Sequence, residues 1–156
     1  MLTGNSAFRF GGGASSGTLN NCTLTGNSAY LGGGAYNATL NNCTLVSNSA
    51  SSAGGGAFYG TLNNSTLIGN SAYVGGGGAS SATLNNCTLT GNSAFDGGGA
   101  DSATLTNCTL MGNSALEGGG GASGGTLNNC TLTSNSANAA FGLGGGADSA
   151  TRSWRR

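Results

Sequence analysis

Five cysteines recur at nearly constant spacing, and their thiols are the side chains of this sequence best suited to hold a metal or to form cross-links. They are Cys22, Cys43, Cys87, Cys108 and Cys130, and Ser65 stands where the spacing would place a sixth. A zinc site would need a C-x2-C pair or histidine partners, and the chain has neither. A disulfide framework would use an even number of cysteines. We therefore expect no metal, and one interior column of free thiols that behave as small buried hydrophobes.

Two acids, Asp96 and Glu117, form the one carboxylate pair whose placement could support catalysis. We expect them at equivalent places before the glycine runs of adjacent repeats, roughly 5 Å apart if the repeats stack at strand spacing. That separation suits a glycosidase pair or a weak Ca²⁺ site. However, no acid holds this place in earlier repeats, and Arg9, the only arginine before residue 152, is several repeats away. We therefore expect no catalytic residue, no cofactor and no enzymatic activity.

These side chains belong to a tandem repeat of the form T-L-N-N-C-T-L-x-G-N-S-A, followed by a variable stretch and G-G-G-A. Its period is 21–22 residues, measured on the asparagine of N-S-A at Asn5, Asn27, Asn48, Asn70, Asn92, Asn113 and Asn135. No window has helical periodicity, and each glycine disfavours a helix by about 1 kcal/mol relative to alanine. Short period-2 alternation broken by Asn and Gly turns indicates strands. The fold predicted is all-β, a single-stranded parallel β-helix (β-solenoid) of about 6–7 coils over residues 2–150, with 151–156 as a non-repeat basic tail.

Alternation within one repeat predicts which side chains face inward. A coil of three short strands and three bends would place Cys43 and Leu45 inside and Thr44 outside. The bends fall at the Asn-Asn pair, near the residue before the N-S-A asparagine, and at the glycine run. Asn48 is expected to point inward and to stack on its equivalents as an amide ladder. The ladder would comprise Asn27, Asn48, Asn70, Asn92, Asn113 and Asn135.

Two outward columns on one face follow from the same alternation. The first is threonine in all six copies: Thr23, Thr44, Thr66, Thr88, Thr109 and Thr131. The second holds Thr25, Thr90 and Thr133, interrupted by Val46, Ile68 and Met111. Threonine is a good strand surface residue in any case. The T-x-T rows also resemble those of insect and bacterial ice-binding solenoids, and this resemblance implies ice binding as an alternative function.

An aromatic stripe follows the alanine of N-S-A, at Phe8, Tyr30, Tyr73 and Phe95. Such a stripe could stack on sugars or on a protein partner. The simpler interpretation is that the rings cover the third bend and pack against the glycine run.

Charge is scarce, with four Lys+Arg and four Asp+Glu in 156 residues. Three of the four arginines lie in the last five residues, so the repeats carry no basic stripe for nucleic acid. No apolar run approaches the ~20 residues of a membrane span. We expect no nucleic-acid partner and no membrane insertion, and we recognise no signal peptide.

The unit G-G-G-A-Y-N-A-T-L-N-N-C-T-L-V-S-N-S-A at Gly32–Ala50 resembles the right-handed parallel β-helix repeats of bacterial surface proteins. These include autotransporter passengers and polymorphic outer-membrane proteins, and the likeness runs from Leu2 to about Ser149. It implies a right-handed coil in an adhesive or spacer rod, at an extracellular or cell-surface location, with host or matrix glycans or proteins as partners. Two departures are small inward alanines such as Ala35 and the lack of an anchor, so a fragment of a longer solenoid is expected.

A third alternative concerns the ends of the rod. Arg152 stands where the repeat would place the next inward leucine, so the solenoid is expected to stop there without a cap. Uncovered end coils would expose strand edges, and the chain would then stack end to end into filaments.

Overall fold

A computed structural model of the chain describes residues 1–138, 144–149 and 151–153, the last three by backbone alone. The described residues contain strands and turns and no helix. Parallel strands stack coil upon coil into a β-solenoid of about six turns, which confirms the predicted fold class. Because no helix occurs in these residues, none is long and apolar enough to cross a membrane.

Four parallel sheets run along the rod, and each coil contributes one strand to each sheet. The alanine sheet consists of Ala14–Ser15, Ala35–Tyr36, Ala57–Phe58, Ala79–Ser80, Ala100–Asp101, Ala122–Ser123 and Ala147–Asp148. The asparagine sheet consists of Thr18–Asn20, Thr39–Asn41, Thr61–Asn63, Thr83–Asn85, Thr104–Thr106, Thr126–Asn128 and Thr151–Ser153. The threonine sheet consists of Leu2–Thr3, Thr23–Thr25, Thr44–Val46, Thr66–Ile68, Thr88–Thr90, Thr109–Met111 and Thr131–Thr133. The serine sheet consists of Ser28–Leu31, Ser49–Ala53, Ser71–Ala72, Ser93–Ala94, Ser114–Ala115 and Ser136–Ala137.

The prediction of three strands and three bends per coil was wrong, because each coil has four strands and four corners. The three expected corners are present, with left-handed φ at Asn42 (53°), Ser47 (51°) and Gly32 (65°). The fourth corner lies between the alanine and asparagine sheets, at Asn37 (φ 48°) in the same coil. Its residue type varies along the chain, so no repeated turn signal marked it; the equivalents are Ser16, Tyr59, Ser81, Ser102, Gly124 and Ser149.

The coils stack in register, and like residues therefore form interior columns. Leu45 pairs with Leu24 on one side and with Leu67 on the other, and all three are fully buried. Ala35 and Ala50 also face inward, at 2% and 6% exposure. Parallel strands lie ~4.8 Å apart, so a seven-stranded sheet makes a rod about 30 Å long.

Changes in repeat length are confined to one corner of the coil. The alanine that ends each G-G-G-A element comes 13 residues before the next N-S-A asparagine, as Ala35 does before Asn48 and Ala57 before Asn70. The return segment varies, since Asn27 precedes Ala35 by eight residues and Asn48 precedes Ala57 by nine. The extra residue is accommodated between the serine and alanine sheets, where the pairing of Ser28–Leu31 with the next coil shifts register.

Backbone pairing continues into the segment that the sequence separates as a tail. Thr151–Ser153 pairs in parallel with Thr126–Asn128, and Arg152 takes the register position opposite Leu127. The hydrogen-bonded ladder therefore extends three residues past position 150.

Candidate functional site

The corner of variable length is also the part of the coil whose side chains differ most between repeats. We call it the variable edge, meaning the outward side chains of the serine and alanine sheets, the segment joining these sheets, and the corner that follows the alanine sheet. Every aromatic residue before position 139 lies there, namely Phe8, Phe10, Tyr30, Tyr36, Phe58, Tyr59, Tyr73 and Phe95. So does every charged residue before that position: Arg9, Asp96, Asp101 and Glu117.

A column of serines and the aromatic stripe run side by side along this edge. In each serine-sheet strand the alanine points inward, so the serine before it and the residue after it both face solvent. At the N-terminal end they form an open groove of about 720 Å³, lined by Ser6, Phe8, Arg9, Ser28, Tyr30 and Ser49 among others. A second groove of about 440 Å³ lies further along, lined by Tyr73, Ser93, Phe95, Ser114 and Leu116 among others. The stripe therefore borders two grooves along the same face.

The rings of this stripe project outward instead of packing on the glycine corner. Exposure is 95% for Phe8, 52% for Tyr30, 79% for Tyr73 and 40% for Phe95. At 95% and 79% exposure Phe8 and Tyr73 do not cover the third bend, so the interpretation was wrong for these two rings. At the corner itself backbone atoms of the neighbouring coils lie close, since a Cβ on Gly33 would lie 2.2 Å from Ser49 O.

A second group of aromatic rings, which the sequence analysis missed, lies on the alanine-sheet side of the glycine corner, whereas the stripe lies on its serine-sheet side. Phe10 and Tyr36 stack at 4.5 Å between ring centroids, and Tyr36 and Phe58 at 5.9 Å. Tyr59 contacts Phe58 edge-on at 4.4 Å. The sequence contained a signal for this group, because Tyr36 and Phe58 both directly follow G-G-G-A. In the structure their strands pair in register.

The carboxylates are arranged differently from the prediction. Gly118, and not Glu117, holds the place equivalent to Asp96, and its N–H donates to Asp96 Oδ1 at 2.8 Å. The prediction of a stacked Asp96/Glu117 pair was wrong because the later repeat has one residue more before its glycine run. A Cβ on Gly118 would lie 2.9 Å from Asp96 Oδ1 and 3.5 Å from Asp148 Oδ2, so Asp148 is the acid beside this place.

The fold perturbs the ionisation of Asp101. Burial raises the pKa of Asp101, the Ser102 hydroxyl opposes this, and the charge of Asp96 adds to the rise. Within the described residues, no group of three or more His, Cys, Asp and Glu side chains is placed to hold a metal ion. Asp96, Asp101, Glu117 and Asp148 give this part of the variable edge a negative charge.

The threonine sheet presents both predicted outward columns in register. Thr44 pairs with Thr23 and Thr66, and Val46 pairs with Thr25 and Ile68. The nine candidate threonines are all at least partly exposed: Thr23, Thr25, Thr44, Thr66, Thr88, Thr90, Thr109, Thr131 and Thr133. No charged residue belongs to this sheet. Ile68 and Met111 interrupt the second column at 40% and 46% exposure.

A further regular face on the asparagine sheet escaped the sequence analysis. Thr39 pairs with Thr18 and Thr61, which begins another threonine column. Beside it the amides form an outer ladder, in which Asn41 Nδ2 donates to Asn20 Oδ1 at 2.8 Å. Asn63 and Asn85 continue this ladder at 2.9 Å per step. The repeated T-L-N triplet was a sufficient signal for this face.

The inner amide ladder is present as predicted. Asn70 is fully buried, and its Oδ1 accepts from both the backbone N–H and the side-chain amide of Asn48, at 2.9 and 3.0 Å. Its Nδ2 donates to Leu45 O and to Asn92 Oδ1, each at 3.0 Å. The same bonds run along the rod through Asn5, Asn27, Asn48, Asn70, Asn92, Asn113 and Asn135. Each interior amide thus has a partner for every donor and acceptor.

The five thiols lie in one interior column and form no disulfide. Cys43, Cys87, Cys108 and Cys130 are 1–3% exposed, and Cys22 is partly exposed. Each buried thiol lies near two carbonyl oxygens, as Cys87 Sγ lies 3.4 Å from Leu62 O and 3.3 Å from Asn85 O. Ser65 fills the gap in the column with a hydroxyl that donates to Asn63 O at 2.9 Å.

Neighbouring thiols shift one another's ionisation. The Cys108 thiol lowers the pKa of Cys87. The Cys130 thiol acts to lower the pKa of Cys108, but the Cys87 thiol and burial outweigh it and raise that pKa to about 11. The Cys108 thiol and burial raise the pKa of Cys130.

The chain matches no family model, no curated protein and no solved structure.

Proposed function

We propose that this chain is a non-enzymatic rod of a secreted or cell-surface protein, and that its variable edge is a recognition surface for glycans. The repeats are themselves an internal comparison: positions that build the core hardly change, whereas the variable edge changes in length, aromatic content and charge. This concentration of variation on one exposed edge is the observation that carries the proposal. Surface loops on a rigid scaffold are where binding residues commonly lie.

The chemistry of the edge suits carbohydrate. Tyr30 and Tyr73 offer exposed ring faces on which the C–H face of a sugar can stack. The serine column beside them supplies hydroxyls, which can both donate and accept, and Ser28 Oγ donates to Ser6 Oγ at 3.2 Å. Exposed apolar side chains are otherwise few, and such concentrations mark interaction surfaces.

The same reasoning supports kinship with the β-helix passengers of bacterial surface proteins. The G-G-G-A and N-S-A elements carry that likeness, and the rod supplies the extended surface that adhesion requires. The proposed partners are host or matrix glycans or proteins.

We expect replacement of stripe rings to weaken glycan binding without unfolding the rod. Tyr30→Ser with Tyr73→Ser introduces the residue that Ser51 already places in this column. An aromatic contact contributes about 0.5–1.5 kcal/mol, so losing two should weaken binding roughly 5- to 160-fold. Retention on a panel of insoluble polysaccharides measures this. Thr66→Ser on the threonine sheet is the matched control and should bind as the parent does; equal losses in both variants would contradict the proposal.

Ice binding through the threonine sheet is the second candidate function. The observation in its favour is the in-register stacking of threonine in six consecutive strands of a sheet without charge. Thr66→Lys with Thr88→Lys should abolish thermal hysteresis, since bulky charged groups would disrupt an ordered surface, while Tyr30→Ser should leave it intact. A parent chain without thermal hysteresis would refute this candidate.

A further inference from the structure

The only Lys or Arg before position 152 lies in one of the two grooves of the variable edge. This residue, Arg9, is exposed and lines the N-terminal groove together with Phe8 and Tyr30, whose rings are 95% and 52% exposed. Serine side chains such as Ser28 line the same groove. The groove therefore brings one positive charge, two ring faces and several hydroxyls together in a single open cleft.

Arg9 occupies the position at which the longer coils carry their extra residue. Phe10 pairs with Leu31 of the next coil. One residue, Arg9, separates Phe10 from the stripe ring of its coil, whereas Leu31 follows its own stripe ring directly. Counted from the N-terminus, the third, fourth and sixth coils fill the same position with Ser52, Val74 and Glu117. Because four residue types share this position, the positive charge is particular to the first coil.

The acidic side chains lie far from this arginine. They are Asp96, Asp101, Glu117 and Asp148, of which Asp96 comes first along the rod. Successive pairing from Phe10 through Leu31, Ala53 and Gly75 to Asp96 gives four strand spacings, about 19 Å along the rod. Charges at a protein surface are largely screened beyond about 8–10 Å at moderate salt. The acidic side chains therefore do not neutralise the positive charge in the N-terminal groove.

We propose that the N-terminal groove selects acidic glycans, with Arg9 bound to a carboxylate or sulfate group while the sugar ring stacks on Tyr30. This inference rests on the proposed glycan-binding function of the variable edge and adds the substrate class. A guanidinium offers paired N–H donors that match two oxygens of a carboxylate or of a tetrahedral oxyanion. A neutral sugar would leave the arginine bound to water and would gain nothing from it.

The second groove has the opposite charge. It is lined by Tyr73 and Phe95, and Asp96 directly follows Phe95 in the chain. A carboxylate beside the groove disfavours an acidic sugar, because like charges brought together across an interface repel. We therefore expect acidic glycans to bind at the N-terminal end of the variable edge and to avoid the second groove.

The experiment compares three polymers that share one backbone. Carboxymethyl cellulose carries carboxylates, cellulose sulfate carries sulfates, and hydroxyethyl cellulose carries no charge. Each polymer is immobilised, and binding of the full chain is measured by biolayer interferometry at low and at moderate salt. We expect at least about tenfold tighter binding to one or both acidic polymers than to the neutral one, weakening as salt rises. The preferred acidic polymer identifies the anion.

Three variants assign the effect to the groove. Arg9→Gln should reduce binding to the acidic polymers to the level of the neutral polymer, with an unchanged circular dichroism spectrum because the side chain is exposed. Thr66→Glu, on the threonine sheet, changes the net charge by the same amount and should bind as the parent does. Ser52→Arg adds a second arginine at the equivalent position two coils along, and it should strengthen binding to the acidic polymers.

The outcomes separate this inference from the proposed function. Equal binding to all three polymers, lost in Tyr30→Ser with Tyr73→Ser but kept in Arg9→Gln, would overturn the inference and leave glycan binding in place. Equal losses in Arg9→Gln and Thr66→Glu would reveal an effect of net charge alone and would also overturn it. So would binding to none of the three polymers by the folded parent, in which case retention on the polysaccharide panel decides the proposed function by itself.

Discussion

Asparagine supplies most of the buried polar side chains in the interior of this rod. The buried amides hydrogen-bond both to their neighbours in the ladder and to backbone carbonyls of the preceding coil. Among the described residues, no buried side-chain nitrogen or oxygen lacks a partner. A polar column can therefore take the place of apolar packing, because hydrogen bonds offset the cost of removing its amides from water.

Removal of one rung of the inner ladder should be costly. Asn70→Ala would leave the side-chain amide and backbone N–H of Asn48 without their acceptor, whereas Asn92 Oδ1 would keep its bond from the backbone N–H of residue 70. Each unsatisfied buried group costs about 1–3 kcal/mol, so we expect a loss of at least about 2 kcal/mol in the free energy of unfolding. Chemical denaturation measures it.

The outer ladder offers the matched control. Asn63 exchanges equivalent bonds with Asn41 and Asn85 but is only partly buried, so water can replace them. Asn63→Ala should therefore cost less than about 1 kcal/mol. Equal losses for the two variants would show that the inner ladder has no special role.

At the scale of the element, the four corners decide the shape of the coil. Three could be predicted from the sequence, because Gly/Ser-Asn and the glycine run recur in every repeat and Asn-Asn in all but one, where Thr106-Asn107 replaces it. The fourth could not, because Asn37, Tyr59 and Ser81 share a left-handed φ but no residue type. The prediction that Asp96 stacks on Glu117 was wrong for a related reason. One extra residue in a corner changes the register of every position between it and the next glycine run.

Two glycine substitutions should separate the roles of space and backbone angle at the corners. A Cβ on Gly56 would lie 2.5 Å from Gly78 O and 3.2 Å from Leu67 Cδ2, so Gly56→Ala should push adjacent coils apart and cost about 3 kcal/mol. Gly69 has φ 60°, a Cβ there would meet only Ser47 Oγ at 3.8 Å, and Ser47 holds the same corner at φ 51°. Gly69→Ser should cost about 1 kcal/mol. Urea midpoints measure both, and the reverse order would contradict this assignment.

At the scale of the molecule, the rod separates a constant scaffold from a variable surface. The inward alternation and the amide ladder could be predicted because stacked coils give each column one environment. The outward rings could not be placed from sequence, since an aromatic stripe beside a glycine run is compatible with either packing or exposure. The grooves depend on ring orientation, which repeat spacing does not fix. End-to-end association of rods stays a prediction.

The central claim is that the variable edge binds glycans while the rest of the coil only supports it. The most direct test replaces the whole stripe with serine at Phe8, Tyr30, Tyr73 and Phe95, and then measures polysaccharide retention and thermal unfolding on the same sample. We expect retention to be lost and the free energy of unfolding to change by less than about 2 kcal/mol, because each of the four rings is at least 40% exposed and an exposed substitution changes it by about 0.5 kcal/mol. Retention equal to that of the parent in a folded variant would contradict the account.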